Sequence, residues 1–460
     1  MNKLPIVIIG AGPIGLAAAC RLLERGETPI IFESAGTSAA TVREWGHVRM
    51  FSSWAMNIDA SAAALLAAHG WKRPAPEGFP TGNELVRDYL EPLAAIPLIS
   101  TCIRYNHKVT AVTRWGFDKL KNSGRADAPF ELRIQQRAGD QVRVLARAVI
   151  DASGTWNTPS PAGHSGLPAL GESGNPRVSY GIPDVRGADA NWFAGKDIAV
   201  IGGGHSAINV LLDLVDQRSD GHNVLTWITR GPTPVVQGGG AAVQALLPER
   251  GSALAQLTGL VRRGAVKAVS DFALEGVDQI KGRERLLLRG SRQGRHSVIE
   301  ADELITCTGF RPDLRLLREL QLDLDPWLES TGGVGKLIRE AADRGQAIPQ
   351  PYGAATLRHP EHNLFVVGMK SHGRAPNFFL FYGYEQVRSI AAWLCGDFAA
   401  AERVEFQLPE GAVCGGCGDG ACCGSVGGAQ SCGSGAGGSG CCGSATQGAA
   451  TDAAPASCCS

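Results

Sequence analysis

The fold is decided by residues 4–19, which read Leu4-Pro5-Ile6-Val7-Ile8-Ile9-Gly10-Ala11-Gly12-Pro13-Ile14-Gly15-Leu16-Ala17-Ala18-Ala19. An apolar run ends in Gly-x-Gly-x-x-Gly, and small apolar residues follow at helical spacing. The segment therefore predicts a buried strand, a tight turn and a helix. In this pattern the first glycine allows the turn, the second lets a pyrophosphate approach the backbone, and the third lets helix and strand pack closely. The candidate contacts with a dinucleotide are Gly10, Gly12, Pro13 and Gly15.

A second apolar run extends this pattern. Residues 29–32 read Pro-Ile-Ile-Phe and end in Glu33. A carboxylate at the end of the second strand can accept hydrogen bonds from ribose hydroxyls. The helix N-terminus after the turn adds free N–H groups and the positive end of a dipole for the phosphates. Together these features predict a dinucleotide site.

Composition narrows the class of protein. The chain has 460 residues, with 44 Lys+Arg against 44 Asp+Glu, so charge gives no reason to expect nucleic acid or an anionic membrane as partner. No apolar run reaches the roughly 18–20 residues of a membrane span, and the first apolar run is the first strand rather than a cleaved leader. Lone cysteines outside the tail fit a reducing compartment. We expect a soluble cytoplasmic protein acting on a small molecule, and leave a homodimer open.

The chain between the first motif and residue 160 predicts mixed structure. Residues 41–70 carry basic and aromatic side chains that follow the second strand and so could lie near a nucleotide: Arg43, Trp45, His47, Arg49, Phe51 and Trp54. A helix is predicted from Asn83, as a possible N-cap, to about Ala95. Alternation with period two predicts antiparallel strands over residues 102–150. The last of these leads into Gly154 and Thr155, at the end of a sheet where ligands bind.

The opening pattern then recurs. Residues 196–201 form a strand pattern that leads into Gly202-Gly203-Gly204-His205-Ser206-Ala207, which is Gly-x-Gly-x-x-Ala. Gly202, Gly204 and Ser206 are the candidate contacts of a second dinucleotide. The next strand pattern ends in Arg230 instead of an acid, and an arginine can pair with the 2′-phosphate of NADP. This favours NADPH over NADH.

Two further strand patterns end in glycine, at Gly309 and at Gly368. The second leads to a helix over residues 384–394. A helix N-terminus after a final strand is a natural seat for the pyrimidine end of a flavin, which gains negative charge on reduction. The two halves therefore form an internal repeat of a dinucleotide fold, one inserted into the other.

These motifs, together with Asp151-Ala152-Ser153-Gly154-Thr155, resemble those of the flavoproteins with two dinucleotide-binding domains. This superfamily includes flavin-containing monooxygenases, Baeyer–Villiger enzymes and thioredoxin-reductase-like enzymes. The resemblance implies an α/β fold of two Rossmann-like domains, with FAD on the first site and NADPH on the second. Residues 79–82 and 368–376 resemble flavin-monooxygenase-like proteins of arsenic-resistance systems.

The expected domains follow from this resemblance. They are the first part of an FAD domain over 1–158, a linker over 159–194, an NADPH domain over 195–308, the second part of the FAD domain over 309–408, and a cysteine-rich tail over 409–460.

The sequence leaves the reaction open. The segment 178–183 lacks the His of the monooxygenase Phe-x-Gly-x-x-x-His signature, and the body lacks the Cys-x-x-Cys of thioredoxin reductases. One reading is a monooxygenase that oxygenates a soft nucleophile or a metalloid, for which the catalytic candidates are His47, Asn157 and Arg374. A second is a reductase of thiols or metals, and a third is a non-catalytic metalloid-binding flavoprotein.

The C-terminal tail changes composition abruptly. Its last 50 residues contain 15 Gly and 9 Cys. Such a segment cannot bury enough apolar surface to fold alone, so we expect disorder without a ligand. Thiolates are soft ligands, so the tail could bind a soft ion or act as a redox relay, as the vicinal cysteines of mercuric reductase suggest; a tail with no role is the alternative. The candidate ligands are Cys414, Cys417, Cys422, Cys423, Cys441, Cys442, Cys458 and Cys459.

Overall fold

The computed structural model describes residues 3–137, 139–217, 223–232, 248–280, 282, 284–344, 346, 349–376 and 378–406. The strands in these ranges are β1 Ile6–Ile9, β2 Ile30–Phe32, β3 Ile103–Arg104, β4 His107–Arg114, β5 Phe130–Gln136, β6 Gln141–Ala146, β7 Ala148–Asp151, β8 Val178–Tyr180, β9 Ile198–Ile201, β10 Leu225–Ile228, β11 Lys267–Val269, β12 Phe272–Gln279, β13 Leu286–Arg292, β14 Arg295–Ala301, β15 Glu303–Thr306 and β16 Leu364–Val366.

The α-helices in the same ranges are α1 Pro13–Glu24, α2 Ala40–Glu44, α3 Trp54–Asn57, α4 Ala60–Ala67, α5 Gly82–Leu85, α6 Glu91–Ala95, α7 Pro97–Ser100, α8 Ala190–Phe193, α9 His205–Asp216, α10 Pro248–Arg262, α11 Gly332–Asp343, α12 Met369–His372, α13 Leu380–Leu394 and α14 Phe398–Glu402. None of these helices is both long enough and apolar enough to cross a membrane.

Two parallel sheets organise the chain. The first has the strand order β16-β7-β1-β2-β3 and the second has the order β11-β10-β9-β15-β8. In each, the strand before a glycine-rich turn is central, β1 in the first and β9 in the second. This confirms the predicted α/β fold with a repeated dinucleotide-binding unit. We call each sheet, with the elements packed on it, the first lobe and the second lobe.

Each sheet is buried on both faces, which explains why its strands are apolar without alternation. In β1, Ile6 and Ile8 pack with α1 and α13, while Val7 and Ile9 pack with the antiparallel sheet β4-β5-β6. The second lobe repeats this sandwich. One face of β9 packs against α9 and α10, and the other against the antiparallel sheet β12-β13-β14. The order strand, helix, strand, antiparallel sheet, strand therefore occurs twice.

The predicted helix over 83–95 needs correction. Its first turn is capped by Thr81 rather than Asn83, because the Thr81 hydroxyl accepts the Glu84 N–H and the Glu84 carboxylate accepts the Thr81 N–H. The helix then widens into a π-turn over Val86–Leu90. Pro92 has no N–H to give to the Asp88 carbonyl, and the Trp71 indole donates to that carbonyl instead, at 2.7 Å.

The segment predicted as a linker over 159–194 contains secondary structure of its own. Strand β8 pairs in parallel with β15 at the edge of the second sheet, and α8 precedes β9. The tail and the Gly/Ala-rich residues 233–247 lie outside the described residues.

Candidate functional site

The first glycine-rich turn follows β1 and is shaped by two close contacts. A Cβ on Gly10, which has φ of +99°, would lie 2.9 Å from the Ala152 carbonyl oxygen. A Cβ on Gly15 would lie 1.9 Å from the Gly10 carbonyl oxygen. Gly12 differs, because a Cβ there would meet no atom within 4 Å. Two glycines are therefore required by packing of the chain, and the third leaves open space beside the turn.

Glu33 lies against this turn. Its carboxylate is buried and accepts hydrogen bonds from the backbone N–H groups of Ala11 and Ala35, each at 2.8 Å. These contacts hold the end of β2 beside the turn. A carboxylate has about four lone-pair sites, so acceptor capacity remains for ribose hydroxyls.

The N-terminus of α1 has the features of an anion-binding site. Its N-cap is Gly12, no side chain of the described residues caps it, and Pro13 occupies the first turn. The unsatisfied N–H groups and the dipole of a 12-residue helix thus meet the open space beside Gly12. This arrangement fits the pyrophosphate of a dinucleotide.

The second turn repeats these features with different contacts. A Cβ on Gly202, with φ of +145°, would lie 2.3 Å from the Cys307 carbonyl oxygen, whereas a Cβ on Gly204 would meet nothing within 4 Å. Gly204 is the N-cap of α9, again without a side-chain cap in the described residues, and Ser206 follows in the first turn. The buried Trp227 indole donates to the Gly202 carbonyl at 2.8 Å. Sequence analysis missed this anchor, because Trp227 reads as an ordinary core residue of β10.

The other predicted glycines end strands, each with a positive φ. Gly154 follows β7 with φ of +70°, Gly309 follows β15 with φ of +90°, and Gly368 follows β16 with φ of +68°. Because β16, β7 and β1 are neighbours in the first sheet, Gly154, the buried Thr155 and Gly368 share one carboxyl edge with the first turn. Gly309 lies at the corresponding edge of the second sheet.

A buried ion pair lies where β7 and β16 end, and sequence analysis missed it. The Lys370 ammonium donates to the Asp151 carboxylate at 2.7 Å and to the Ser153 hydroxyl at 3.0 Å. The Asp151 carboxylate also accepts the Ser153 hydroxyl at 2.6 Å. Lys370 and Asp151 are 1 % and 0 % exposed as side chains, so neither charge is hydrated. The network joins the ends of β7 and β16.

The remaining predicted residues lie in separate places. Arg230 is exposed after β10, with one guanidinium nitrogen 3.4 Å from the His164 carbonyl. Asn157 and Arg374 are exposed and follow the adjacent strands β7 and β16. His47 is half-buried and lies near α9 of the second lobe, where burial raises the pKa of the Asp213 carboxyl and the nearby Arg186 and His47 oppose that rise.

Two chain segments connect the lobes, one through Thr158 and the other through Gly309, and they carry a pair of stacked aromatic rings. The two connecting segments hydrogen-bond to each other, from Ser160 N–H to the Gly309 carbonyl at 2.8 Å and from Arg311 N–H to the Thr158 carbonyl at 2.9 Å. The rings of Trp156 and Phe310 stack with centroids 4.7 Å apart. This brace lies close to the carboxyl edges of both sheets.

The described cysteines are separated and poorly suited to redox chemistry. Cys20, Cys102 and Cys307 are buried and Cys395 is half-buried. Burial raises the pKa of all four thiols, that of Cys307 to about 12. No group of three or more metal-ligating side chains occurs in the described ranges. The eight predicted metal-ligating cysteines, Cys414 to Cys459, lie outside those ranges.

Two parallel sheets each place an open glycine at a helix N-terminus that no side chain of the described residues caps, which is the arrangement expected of a protein with two dinucleotide-binding units. The model of the pyridine nucleotide-disulphide oxidoreductase family matches residues 7–329, and the chain belongs to that family. The prediction of an oxidoreductase enzyme is thereby confirmed.

A curated relative is the indole-3-pyruvate monooxygenase YUCCA1 of Oryza sativa subsp. japonica, 28% identical over 210 residues. The match spans less than half of either protein, 45% of this chain and 44% of the relative.

Solved structures show the same fold. Bacillithiol disulfide reductase Bdr from Bacillus cereus has a TM-score of 0.63 and 20% identity, covering 86% of this chain and 99% of its own. The cadaverine monooxygenase DfoA from Erwinia amylovora, solved with FAD bound, has a TM-score of 0.60 and 15% identity, covering 89% and 98%. A flavin monooxygenase from Stenotrophomonas maltophilia, in a mutant form, has a TM-score of 0.54 and 23% identity, covering 86% and 100%. Both reductases and monooxygenases thus share this architecture.

Proposed function

We propose that the chain is an FAD-dependent NADPH oxidoreductase of the monooxygenase type. FAD is held by the first lobe, through Gly10, Gly12, Pro13, Gly15 and Glu33 and through the strand ends at Gly154, Thr155 and Gly368, and it is approached by Gly309 from the edge of the second sheet. NADPH is held by the second lobe, through Gly202, Gly204, Ser206 and Arg230. In domain terms, residues 1–158 and 309–408 serve FAD, and residues 195–308 serve NADPH.

The fit of both cofactors rests on the open positions at Gly12 and Gly204. Each lies at the N-cap of a long helix without a side-chain cap in the described residues, and each would give a Cβ no neighbour within 4 Å. Bound FAD would accept a hydride from NADPH and pass electrons on to an acceptor. The role of the chain itself is to hold the two cofactors in a fixed relative orientation.

The observation that carries the monooxygenase assignment is the state of the described thiols. Thiolate attack needs an accessible thiol of low pKa, and Cys20, Cys102 and Cys307 are buried with raised pKa values. Because these thiols are unsuited to accept the electrons, we take molecular oxygen as the electron acceptor. NADPH, oxygen, a proton and a nucleophile give NADP⁺, water and the oxygenated nucleophile. The proposed substrate class is a soft nucleophile such as a thioether, an amine or trivalent arsenic. The narrower hypothesis is that the protein serves in arsenic or metal resistance.

His47, Asn157 and Arg374 stay the proposed catalytic candidates. Asn157 and Arg374 are the better placed, because they follow adjacent strands at the carboxyl edge of the first sheet. His47 lies close enough to Asp213 of α9 to act on it electrostatically. Lone thiols also support a cytoplasmic location.

A second candidate function is the reduction of thiols or metal ions through the tail. The family name and the likeness to a bacillithiol disulfide reductase favour it. Since the described cysteines are unsuited to the task, such a reductase would relay electrons through the paired tail cysteines, which would also hold a soft ion.

The two functions are distinguished by their need for oxygen. Purified full-length protein is mixed with NADPH, and flavin absorbance and NADPH oxidation are followed with and without oxygen, with arsenite, mercuric ion and a panel of thiols as substrates. Monooxygenation predicts turnover only with oxygen, with substrate increasing product formation relative to hydrogen peroxide release. A chain that ends at Pro409 should then retain full activity. Anaerobic turnover that is lost on this truncation would instead establish the relay.

A further inference from the structure

Buried polar side chains surround Gly368, where β16 ends. The last three residues of α12 are Lys370, Ser371 and His372, and they are 1 %, 0 % and 0 % exposed. A buried polar group without a partner destabilises a fold, whereas an apolar side chain carries no such cost. A buried network whose members are paired instead gives rigidity and a single geometry. The partners of these side chains therefore explain why polar residues occupy this part of the core.

Gln386 of α13 is the centre of this network and is fully buried. Its side-chain oxygen accepts the Gly368 N–H at 2.8 Å. Because only the oxygen of an amide can accept a backbone N–H, the nitrogen must face the other partners. That nitrogen donates to the Tyr352 hydroxyl and to the Ser371 hydroxyl, each at 3.0 Å. The Tyr352 hydroxyl also forms a hydrogen bond with His372 Nε2, at 2.5 Å.

Ser371 holds the other backbone group of Gly368. Its hydroxyl donates to the Gly368 carbonyl at 2.7 Å, and its N–H donates to the same oxygen at 3.0 Å. Gly368 has φ of +68° and ψ of −154°, a region that is open almost only to glycine. A Cβ on Gly368 would also lie 3.3 Å from Ile14 Cγ1 of α1. Side chains therefore fix both the N–H and the carbonyl of a residue whose backbone conformation is rarely adopted.

We propose that Gln386 and Ser371 are positioning residues for FAD, which fix the Gly368 backbone at the seat of the pyrimidine end of the flavin. The inference rests on the proposed function, which counts Gly368 among the FAD contacts. The pyrimidine end gains negative charge on reduction, and a polar seat that is already fixed needs no reorganisation when that charge develops. Loss of either side chain should leave Gly368 free to move, and should weaken the binding of reduced FAD more than that of oxidised FAD.

The chain offers a matched pair of serines for the test. Ser371 and Ser389 are both fully buried, and each hydroxyl donates to a backbone carbonyl and accepts one N–H. The partners of Ser389 are Ala354 and Ala401 instead of Gly368. Ser371→Ala and Ser389→Ala should therefore lower Tm by similar amounts, while only Ser371→Ala should change the binding of the flavin.

The measurements are the affinity for FAD, by titration of the apoprotein, and the midpoint potential of bound FAD, by reduction in equilibrium with a reference dye. Ser371→Ala should weaken the binding of oxidised FAD about threefold, the effect of one hydrogen bond. Gln386→Met removes all three contacts of the amide and should weaken it at least about tenfold. Reduced FAD should lose about a further tenfold in Gln386→Met, which lowers the potential of this two-electron couple by about 30 mV.

Two results would overturn the proposal. One is wild-type FAD affinity and potential in both Ser371→Ala and Gln386→Met. The other is an equal change in Ser371→Ala and Ser389→Ala, because that would reflect stability alone. If Gln386→Met does not fold, the comparison of the two serine variants decides. Wild-type protein that takes up no FAD would instead refute the proposed function, and that result is distinct from either of these.

Discussion

The two alanine substitutions Gly12→Ala and Gly15→Ala should have opposite effects on stability and on cofactor binding. Both glycines belong to the same turn, and both would gain one methyl group. At Gly15 the new Cβ would lie 1.9 Å from the Gly10 carbonyl oxygen and 3.1 Å from its carbon. Backbone cannot turn aside as a flexible side chain can, so α1 must move away from β1. At Gly12 nothing lies within 4 Å.

The magnitudes follow from these contacts. Overpacking usually costs about 1–3 kcal/mol, and the short distance to backbone puts Gly15→Ala at about 3 kcal/mol or more. In a domain of 150–250 residues that lowers Tm by roughly 6–12 °C. Gly12 has φ of −81°, which alanine adopts readily. The lost N-cap preference and the gain from a less flexible unfolded chain are each about 0.5–1 kcal/mol and opposite in sign. The stability of the apoprotein should therefore change by less than about 1 kcal/mol.

The assays are thermal unfolding of the apoprotein and titration of the apoprotein with FAD. Gly12→Ala should keep its Tm and lose at least about tenfold in FAD affinity, or about 1.4 kcal/mol, because the methyl group occupies the space that a phosphate needs. Gly204→Ala is the control in the second lobe, and should retain FAD while losing NADP⁺ affinity. Wild-type FAD affinity in Gly12→Ala would refute the role of this turn, and a wild-type Tm in Gly15→Ala would refute the close approach of helix and strand.

Two further substitutions test buried charges. Lys370→Met leaves the Asp151 carboxylate buried without its cation and should lower the free energy of unfolding by about 3–5 kcal/mol in urea titrations. The double variant Lys370→Met/Asp151→Asn should regain much of that lost stability. If Lys370→Met and Asp151→Asn, each made alone, were as stable as wild type, the pairing would be contradicted. Burial lowers the pKa of His359 despite the nearby carboxylates of Asp323 and Glu361, so the fold favours neutral imidazole. The contribution of neutral His359 to the free energy of unfolding is present above the ordinary pKa of 6.5 and is lost as pH falls through the lowered pKa. Tm measured from about pH 8 to about pH 5 should therefore fall less in His359→Gln than in wild type, and parallel curves would count against it.

The parts of this protein that were predictable from sequence are those encoded locally. Each glycine-rich turn lies within a few residues of the strand and helix that it joins, so spacing alone identifies it. The antiparallel strands β4, β5 and β6 were recognisable from their alternation for the same reason. The same prediction was wrong for β7, which pairs in parallel with β1 and β16. The cap at Thr81 was also local, and the Thr-x-x-Glu pattern was available in the sequence. Preferring Asn83 was an error of interpretation.

What could not be predicted depends on contacts between distant segments. Asp151 and Lys370 are brought together only because β7 and β16 are neighbours in the first sheet. In the sequence, Asp151 precedes a turn and Lys370 reads as a surface residue. The edge-on contact between the Phe51 ring of the first lobe and the His205 ring of α9 likewise joins residues that are far apart in the sequence. Periodicity describes one element at a time and carries no information on such pairings.

The two lobes give the same reason to expect ligands, and they give it independently. Gly10 and Gly202 have positive φ and crowded surroundings, so the chain itself accounts for the absence of their side chains. Gly12 and Gly204 have φ of −81° and −91°, which any residue adopts, and open space where a Cβ would be. Neither backbone strain nor packing within the chain therefore requires glycine at these two positions. Both are the N-caps of 12-residue helices, where N–H groups need acceptors that the described side chains do not supply. A bound phosphate explains the glycine and supplies the acceptor, and it does so at the same place in both lobes.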